Sequence, residues 1–320
     1  LTQPISFLSM LENALQIKEL SKNFGSLKAV DNLCFEVNEG EVFGFLGPNG
    51  AGKSTSINMI CGLLKPDSGE IIIAGEKVKE NISFRNKIGI CPQNIIIWPK
   101  LTCYEQLIFV GKTYNLPNNE VKERANDLLL KMGLMEKKNK LAQTLSGGMQ
   151  RRLNLILGLI HNPEILVLDE PEAGLDPQSR ILVRDFIKSL AKEKTIILTT
   201  HNMDEADRVV DRVAIIDQGK LLQLDTPANL KKSVGEGDVL EIRAAKVVEK
   251  ENVETLLKPF SENVKISNSS ILIQSKNMLG RISEITAVLK NAGMEILEIK
   301  LRENTLEDVF IHLTGKKLRA

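Results

Sequence analysis

The sequence predicts an α/β protein with an inserted helical block, followed by a second, smaller α+β domain. Three observations support this prediction. Short apolar segments alternate with helix-like segments through the first two-thirds of the chain. Helical periodicity alone prevails from Thr102 to about Ile160. Beyond residue 237 the expected elements follow the order strand, helix, strand, strand, helix, strand.

Length and composition suit a chain of two globular domains. The 320 residues are 42% apolar, which is enough to form buried cores. The formal net charge is only +1, so the chain has no overall field that would attract a polyanion. We therefore expect no nucleic-acid partner.

The first domain is predicted at residues 15–232, after an N-terminal extension at 1–14 that lacks the features of a signal peptide. The segments expected as strands are LCFEV, EVFGFL, IIIAG, KIGICP, EILVLDE, TIILTT and VAIID. Runs this continuously apolar favour a parallel sheet that is buried on both faces. STSINMICGLL predicts a helix, and a helical subdomain is expected at about 101–160.

The second domain is predicted at residues 237–320, after the glycine-containing segment LKKSVGEGD. Its order of elements is typical of a ferredoxin-like fold. The segment TLEDVFIHLTG predicts a last helix, with Thr305 as its N-cap and Asp308 in its first turn. The apolar stripe expected on that helix is Leu306, Val309, Phe310 and Leu313.

The stretch GFLGPNGAGKST contains the pattern G-x-x-x-x-G-K-[ST] from Gly47 to Ser54. A loop that surrounds phosphate must direct several backbone N–H groups inward, and glycine permits the dihedral angles that this requires. The following helix adds its positive N-terminal end. Lys53 is expected to contact the β- and γ-phosphates, and the Ser54 hydroxyl to contact Mg²⁺. The first domain is therefore predicted to have the core of a P-loop NTPase.

The stretch ILVLDEP supplies two acids at the carboxyl end of an apolar strand. Asp169 is expected to hold Mg²⁺ through water, and Glu170 to act on the attacking water. A solvated acidic turn is the alternative for these two residues alone. Together with the phosphate loop they predict binding of a nucleoside triphosphate with Mg²⁺, and its hydrolysis.

The stretch LSGGMQRR at Leu145–Arg152 places a serine and two glycines at the start of a helix, which by spacing alone is a second small anion site. With this stretch the sequence resembles the ATP-binding subunits of ABC transporters, over residues 15–320. There the stretch matches the signature motif. In that family two nucleotide-binding domains face each other head to tail, and the signature of one closes on the γ-phosphate of the other.

The resemblance implies which residues bind the nucleotide. Phe24 matches the aromatic residue that stacks on adenine, with a core phenylalanine as the alternative. The residues that match those surrounding the phosphates are Asn49, Gly50, Ala51, Gly52, Lys53, Ser54 and Thr55.

The resemblance also implies catalytic roles, in addition to that of Lys53. Gln93 matches the Q-loop glutamine, which senses Mg²⁺ and the attacking water, and Asp169 matches the Mg²⁺ carboxylate. Glu170 matches the general base, and His201 matches the switch histidine near the γ-phosphate. A lone histidine is more often structural. His201 follows the TIILTT strand, however, which we expect beside the strand of the phosphate loop.

Contacts between two copies are implied as well. The signature residues expected to act in trans are Ser146, Gly147 and Gly148. Asp176 matches the D-loop aspartate at the dimer seam, so a homodimer or a pair of nucleotide-binding domains is expected. The chain departs from the commoner pattern at Met149 and Glu172, where many members have glutamine and threonine. Neither departure removes a group with a named chemical role.

Met149 and the LEDVF stretch are shared with a subgroup that resembles ABC-2-type exporters. There a separate integral-membrane permease pairs with an ATPase that has a C-terminal extension. The chain contains no apolar run of the ~18 residues that a membrane span needs. It is therefore expected to be cytoplasmic, peripheral on the cytoplasmic face of the membrane. The transported substrate is not evident from the sequence.

The apolar run around Trp98, NIIIWPKLT, is either part of a groove for the membrane subunit or packed on the helical subdomain.

Other ABC-type ATPases act in DNA repair or translation, but those have long insertions or two cores per chain. A nucleotide kinase would leave LSGGMQ unexplained.

Four cysteines without C-x-x-C spacing indicate free thiols, and a redox role for Cys91 is disfavoured.

Overall fold

The structure is a computed structural model that describes residues 13–78, 84–191, 193–234, 237–246, 250–261 and 263–314. The chain divides into two compact units, with the division between Asp225 and Thr226. The sequence placed the end of the first domain at 232. The difference arises from a short helix at Pro227–Ser233, which packs on the last helix of the second unit.

The first unit contains ten strands and seven helices among its described residues. The strands are β1 Asn13–Phe24, β2 Leu27–Asn38, β3 Val42–Leu46, β4 Ser68–Ile73, β5 Glu76–Lys77, β6 Ile88–Cys91, β7 Ile165–Asp169, β8 Thr195–Thr200, β9 Arg212–Asp217 and β10 Lys220–Asp225. The helices are α1 Lys53–Ile60, α2 Phe84–Lys87, α3 Cys103–Thr113, α4 Asn118–Lys131, α5 Gly147–Leu157, α6 Pro177–Leu190 and α7 Met203–Asp207. Of the predicted extension at 1–14, only Asn13 and Ala14 are described, and both belong to β1.

A six-stranded sheet of order β10-β9-β3-β8-β7-β6 forms the centre of the first unit. Its strands are parallel except for β10, which pairs antiparallel with β9. This confirms the parallel sheet expected from the continuous apolar runs, because β3 and β7 are buried at every position.

Two of the apolar runs, LCFEV and IIIAG, belong instead to a separate antiparallel sheet of order β2-β1-β4-β5. The long strand β1, which the sequence did not suggest, lies between them. Phe35 of this sheet stacks on Phe43 of the parallel sheet with ring centroids 5.2 Å apart. The two sheets therefore share one core.

The helical block contains α3, α4 and α5 with two short 3-10 turns between α4 and α5. Helix α3 begins at a capping box, in which the Thr102 hydroxyl accepts from the Glu105 N–H at 3.1 Å and the Glu105 carboxylate accepts from the Thr102 N–H at 2.8 Å. The apolar faces of these helices are buried, for example at Leu107, Val121 and Leu129. The block therefore has an apolar interior of its own.

The second unit begins with α8 Pro227–Ser233 and continues as β11 Asp238–Ala244, α9 Lys250–Leu257, β12 Asn263–Ser267, β13 Ser270–Ser275, α10 Met278–Asn291, β14 Ile296–Arg302 and α11 Leu306–Thr314. Its sheet has the order β12-β13-β11-β14, and every neighbouring pair is antiparallel. This order confirms the ferredoxin-like arrangement, because the first and third strands are central and the second and fourth are at the edges.

The N-terminus of helix α11 follows the prediction. The Thr305 hydroxyl accepts from the Asp308 N–H at 3.2 Å, and the Asp308 carboxylate accepts from the Thr305 N–H at 2.9 Å. Leu306, Val309 and Phe310 of the expected apolar stripe are buried, whereas Leu313 is 37% exposed. The stripe is therefore buried over its first three residues and not at its end. The basic end of the chain after Thr314 lies outside the described residues.

The cysteines are free thiols in the structure, as expected. Burial raises the pKa of Cys61 to about 12 and that of Cys91 to about 11. Both are therefore fully protonated at neutral pH, and neither is a reactive thiolate.

Candidate nucleotide-binding and hydrolysis site

The predicted site residues lie after the carboxyl ends of adjacent parallel strands. Lys53 follows β3, and His201 follows β8, which pairs with β3 as expected. Asp169 ends the next strand, β7, and Gln93 follows β6 beyond it. Because parallel strands end at one edge of a sheet, this order gathers four separate stretches of the chain in one place.

The phosphate loop between β3 and α1 passes so close to other backbone segments that two of its glycines are required. A Cβ on Gly47 would lie 2.3 Å from the Ile216 carbonyl oxygen. A Cβ on Gly52 would lie 2.4 Å from the Ala29 carbonyl oxygen, and Gly52 also has a φ of +102°. The loop is therefore held from both sides, and its backbone conformation is set before a ligand arrives.

The Lys53 side chain is folded under this loop. Its ammonium group donates to the carbonyl oxygens of Gly47 at 2.7 Å and Pro48 at 3.0 Å. Burial lowers the pKa of Lys53, while the charges of Glu170 and Asp169 act in the opposite direction. An ammonium has three protons, so these two bonds leave one for a phosphate oxygen.

The other predicted nucleotide contacts are mostly accessible. Asn49, Gly50 and Ser54 are exposed, whereas Ala51 is buried. Thr55 is half-buried at the start of α1.

Phe24 is 50% exposed at the end of β1, so it is not a core phenylalanine. Its ring has the Lys22 ammonium 5.8 Å from its centroid. An exposed aromatic face of this kind is available for stacking.

Glu170 is the centre of a hydrogen-bonded cluster. Its carboxylate is bonded to Nδ1 of His201 at 2.8 Å and accepts from Nε2 of Gln93 at 3.3 Å. The carboxylate is nearly buried, while His201 is half exposed. Three residues predicted from separate motifs are thus in direct contact, and their side chains fix the direction of the carboxylate.

The backbone of Glu170 has a φ of +48°, a region that non-glycine residues rarely occupy. Its N–H donates to both the carbonyl and the hydroxyl of Thr199, at 3.1 Å each. Strained conformations of this kind occur mainly where the surroundings hold them in place for a function. With this backbone conformation the Glu170 carboxylate contacts both His201 and Gln93.

Thr199 is a site residue that the sequence did not suggest. Its hydroxyl also donates to Oδ1 of Asp169, and the residue is completely buried. One threonine therefore orients both acids of the DE pair. The available signal was a polar residue at the end of an apolar strand, in TIILTT.

Arg151 is the second residue that the sequence analysis missed. It is 2% exposed, and its guanidinium donates to five carbonyl oxygens, those of Pro92, Gln93, Asp169, Glu170 and Pro171. It therefore ties the Gln93 loop to the Asp169–Pro171 segment. The available signal was its spacing from the buried Leu155 and from Gly158 on one face of α5.

The signature motif forms the start of α5. The Ser146 hydroxyl caps the helix by accepting from the Met149 N–H at 3.3 Å, and a Cβ on Gly147 would meet no atom within 4 Å. Gly148 lies beside Asp176, because a Cβ on Gly148 would be 3.5 Å from Asp176 Oδ2.

Asp176 caps α6 by accepting from the Ser179 N–H at 3.0 Å. Hydrogen bonds from Ser179 lower the pKa of Asp176. The action of these motifs on a second copy remains a prediction.

Glu172, the departure noted in the sequence, lines a cavity of about 220 Å³ next to Glu170 and His201. Burial raises the pKa of Glu172 to about 7, with a further upward contribution from the charge of Glu205. Glu205 itself pairs with Arg184 at 2.9 Å. The cavity wall thus contains a carboxyl group that is partly protonated near neutral pH.

Comparison with known protein families places these features in context. The model of the family described as ABC transporter matches residues 30–173. The linearmycin resistance ATP-binding protein LnrL of Bacillus subtilis is 37% identical, with 95% of this chain and 99% of that protein covered. The Nod factor export ATP-binding protein I of Ralstonia nicotianae is 36% identical, with 95% of each chain covered.

Solved structures of ATP-binding subunits match about two-thirds of the chain. The ATP-binding subunit of an ABC transporter matches with a TM-score of 0.64 and 26% identity, over 69% of this chain and 92% of that chain. A dimeric ATP-binding cassette in a post-hydrolysis state, bound to ADP and Pi, matches with a TM-score of 0.61 and 28% identity. That match covers 66% of this chain and 98% of the other.

Arg151→Lys should lower kcat for nucleoside triphosphate hydrolysis on the order of tenfold or more. The planar guanidinium donates to five carbonyl oxygens, and a lysine ammonium cannot replace all of these bonds. KM should change little, since Arg151 contacts loop backbone and not the phosphate loop. Steady-state kinetics measures both. The matched control is Arg124→Lys, which removes a guanidinium bonded to the carbonyls of Leu159 and Ile160 in the helical block. Equal loss of kcat in both variants would contradict a local role for Arg151.

Glu172→Gln should change how stability depends on pH. In the unfolded chain this carboxyl loses its proton near the ordinary value of 4.5, but in the folded protein near 7. Between these values the folded state holds more protons, so stability falls as pH rises, and the fall is complete above about 7. Glutamine removes that fall, so the variant should gain stability over wild type from pH 5 to pH 8 in urea titrations. The exposed control Glu123→Gln should show no such trend.

Proposed function

This chain belongs to the ABC transporter family as an ATP-hydrolysing, ATP-binding subunit of the exporter type, and we propose that two copies close head to tail around ATP and Mg²⁺. The proposal rests chiefly on one observation, the contact of Glu170 with His201 and Gln93 near the buried Lys53. A base for water and a cation for phosphate are thereby brought to one edge of the sheet.

The predicted ATP-binding residues divide into one that contacts the adenine base and several that contact the phosphates. The Phe24 ring supplies a face for the adenine base. The N–H groups of the phosphate loop and the positive end of α1 surround the phosphates. The Lys53 ammonium adds a point charge at the β- and γ-phosphates.

The chain supplies oxygen ligands that fit Mg²⁺. The Ser54 hydroxyl is exposed at the start of α1, and the Asp169 carboxylate is oriented by Thr199. Gln93 adds an amide oxygen from its loop. Mg²⁺ prefers such hard ligands and keeps water and phosphate in its remaining positions. When bound, the ion neutralises charge on the phosphates during transfer.

Hydrolysis requires a water molecule in line with the γ-phosphate. We assign Glu170 as the group that orients this water and accepts its proton. His201 and Gln93 hold the carboxylate and are placed to contact the water or the γ-phosphate themselves. Lys53 stabilises the negative charge that moves onto the leaving oxygen.

We attribute dimer closure to contacts that the γ-phosphate of ATP makes with both copies. The signature residues Ser146, Gly147 and Gly148 of one copy present a capped helix start to the ATP of the other. ADP lacks the γ-phosphate and makes none of these contacts, so ATP alone favours the closed pair. Hydrolysis removes the bridging group and the pair opens, which converts chemical energy into motion.

Glu170→Gln should bind ATP normally but hydrolyse it at least about a hundredfold more slowly, because the amide cannot take a proton from water. The variant should therefore accumulate as an ATP-bound dimer. Equilibrium dialysis, turnover assays and size-exclusion chromatography measure the three properties. The matched control is Glu172→Gln, the same change two residues away, which should turn over ATP and retain no bound ATP. A Glu170→Gln chain that stays monomeric with saturating ATP and Mg²⁺ would contradict the closure mechanism.

Transport needs a second polypeptide. In the part of the chain that the structure describes, no helix has the length and apolarity to cross a membrane. ATP-binding proteins of this family work with membrane permease components. We propose that the chain binds such a subunit on the cytoplasmic face of the membrane. We also propose that the direction of transport is outward, because the Nod factor relatives are named as export proteins.

The surface proposed for that contact follows Gln93. Ile96 and Trp98 are 60% and 41% exposed, and the Trp98 ring packs edge-on against Phe109 with centroids 5.3 Å apart. An exposed apolar cluster of this kind is typical of a docking surface. Because the cluster continues from the Gln93 loop, a helix of the membrane subunit seated here would respond to changes at the ATP site.

Trp98→Ala should abolish transport by the assembled complex while the isolated chain keeps its ATPase activity within about twofold, because the ring packs against Phe109 of α3, which is not one of the residues bonded to Glu170. Transport into vesicles and ATPase activity of the isolated chain are the two measurements. Leu130→Ala is the matched control, since Leu130 is also exposed but lies on α4. Parallel loss of transport and ATPase activity in Trp98→Ala would reject the interface.

A further inference from the structure

The edge strand β14 of the second unit exposes apolar side chains on the face that elsewhere forms the core. Ile299 and Leu301 are 41% and 37% exposed. Their partners on β11, Ile242 and Leu240, are completely buried beneath the helices. Leu297, next to the irregularity in pairing, is 60% exposed. The apolar face of the sheet therefore extends beyond the strands that the helices cover and includes the edge strand β14.

The outer edge of strand β14 is unpaired in the part of the chain that the structure describes. Within the described residues the strand pairs with β11 on one side, and no strand pairs with the other. In an antiparallel ladder alternate residues direct their N–H and C=O groups to each side, so half of these groups on β14 face outward. Edges are usually protected by proline, by brevity, by inward charges or by a bulge. The pairing shift of β14 lies at its beginning, beside Leu297, and Glu298 to Arg302 pair with β11 in regular register. Residues 296–302 are seven in number, contain no proline, and have their charges on the other face.

The sequence of β14, ILEIKLR, is complementary to itself when two copies run antiparallel about Ile299. In that register Glu298 lies opposite Lys300 of the second copy, and Lys300 opposite Glu298. Leu297 likewise lies opposite Leu301. Centring the pair on Glu298 or on Lys300 would place like charges opposite each other, which is unfavourable.

We propose that β14 pairs with β14 of a second copy of this chain, so that two four-stranded sheets join into one. In the single chain Glu298 and Lys300 are bonded to each other at 3.0 Å. Pairing adds a cross-strand partner to each of them. It also covers Ile299 with Ile299 of the other copy and Leu301 with Leu297 of the other copy.

This interface goes beyond the ATP-gated closure of the first units. It needs no nucleotide, because none of its residues belongs to the ATP site. A permanent tie between the second units would hold two ATPase cores together between cycles. Closure on ATP would then be an intramolecular event at a high effective concentration.

Charge reversal in the full-length chain without nucleotide tests the pairing. Sedimentation velocity over a concentration series should show wild type as a dimer. Glu298→Lys and Lys300→Glu should each raise the dimer dissociation constant on the order of tenfold, because each turns two attractive pairs into repulsive ones. The double variant E298K/K300E should recover wild-type affinity. An equimolar mixture of the two single variants should form the mixed dimer.

Cross-linking tests the register. In a background with the exposed Cys34 changed to serine, Ile299→Cys should form a disulfide between copies on mild oxidation, because residues directly opposite in such pairs have Cα atoms about 4.5–5.5 Å apart. The control Leu279→Cys places an exposed thiol on α10 and should not cross-link.

A wild-type chain that is monomeric without nucleotide would overturn the proposal. So would a dimer that ignores both charge reversals, or a double variant that does not recover. Adding Glu298→Lys to Glu170→Gln separates this interface from the proposed function. That chain should still dimerise with ATP and Mg²⁺, and without them its dimer dissociation constant should be about tenfold above that of wild type. Failure of ATP-dependent dimerisation alone would count against the closure mechanism and not against the β14 interface.

Discussion

The order of four parallel strands is the constraint on which the rest of this molecule depends. Strands β3, β8, β7 and β6 lie side by side, and each ends at the same edge of the sheet. Lys53, His201, Glu170 and Gln93 leave the sheet at that edge, although more than a hundred residues separate the first from the last of the stretches that contain them. Any other order would leave the cation, the base and its two partners too far apart to act on one phosphate.

Buried polar groups keep this edge in shape. Thr199 holds Asp169 and the left-handed backbone of Glu170, and Arg151 holds five carbonyls from two loops. Four of these five carbonyls belong to residues outside regular sheet and helix, the exception being Asp169 at the end of β7. The Glu170 carbonyl also accepts from the Ala173 N–H. Arg151 is thus a buried donor that these carbonyls would lose. Removing a partner from such groups costs more than the bond itself is worth. The same network therefore supports both the fold of the loops and the direction of the catalytic carboxylate.

The exposed edge of its sheet is the main physical feature of the second unit. A four-stranded antiparallel sheet has two edges, and the side chains of β11 are buried more completely than those of β14 beneath helices α9 and α10. A self-complementary edge with apolar side chains resembles the surface left when a larger sheet is divided. The first unit opens and closes with its ligand in our proposal, whereas a paired sheet would be constant. One chain would thus contain one contact that depends on ATP and one that does not.

Much of this organisation was determined by the sequence alone. The phosphate loop, the DE pair and the LSGG stretch are local patterns, and their chemistry follows from residues that are adjacent in the chain. Periodicity likewise predicted the parallel sheet and the element order of the second unit, because burial imposes a repeat on each element. The roles of Thr199 and Arg151, the strained backbone of Glu170, the separate antiparallel sheet and the uncovered β14 were decided only by the tertiary structure. Each depends on which distant segments become neighbours, and the side-chain repeat of a single strand or helix contains no information about its neighbours.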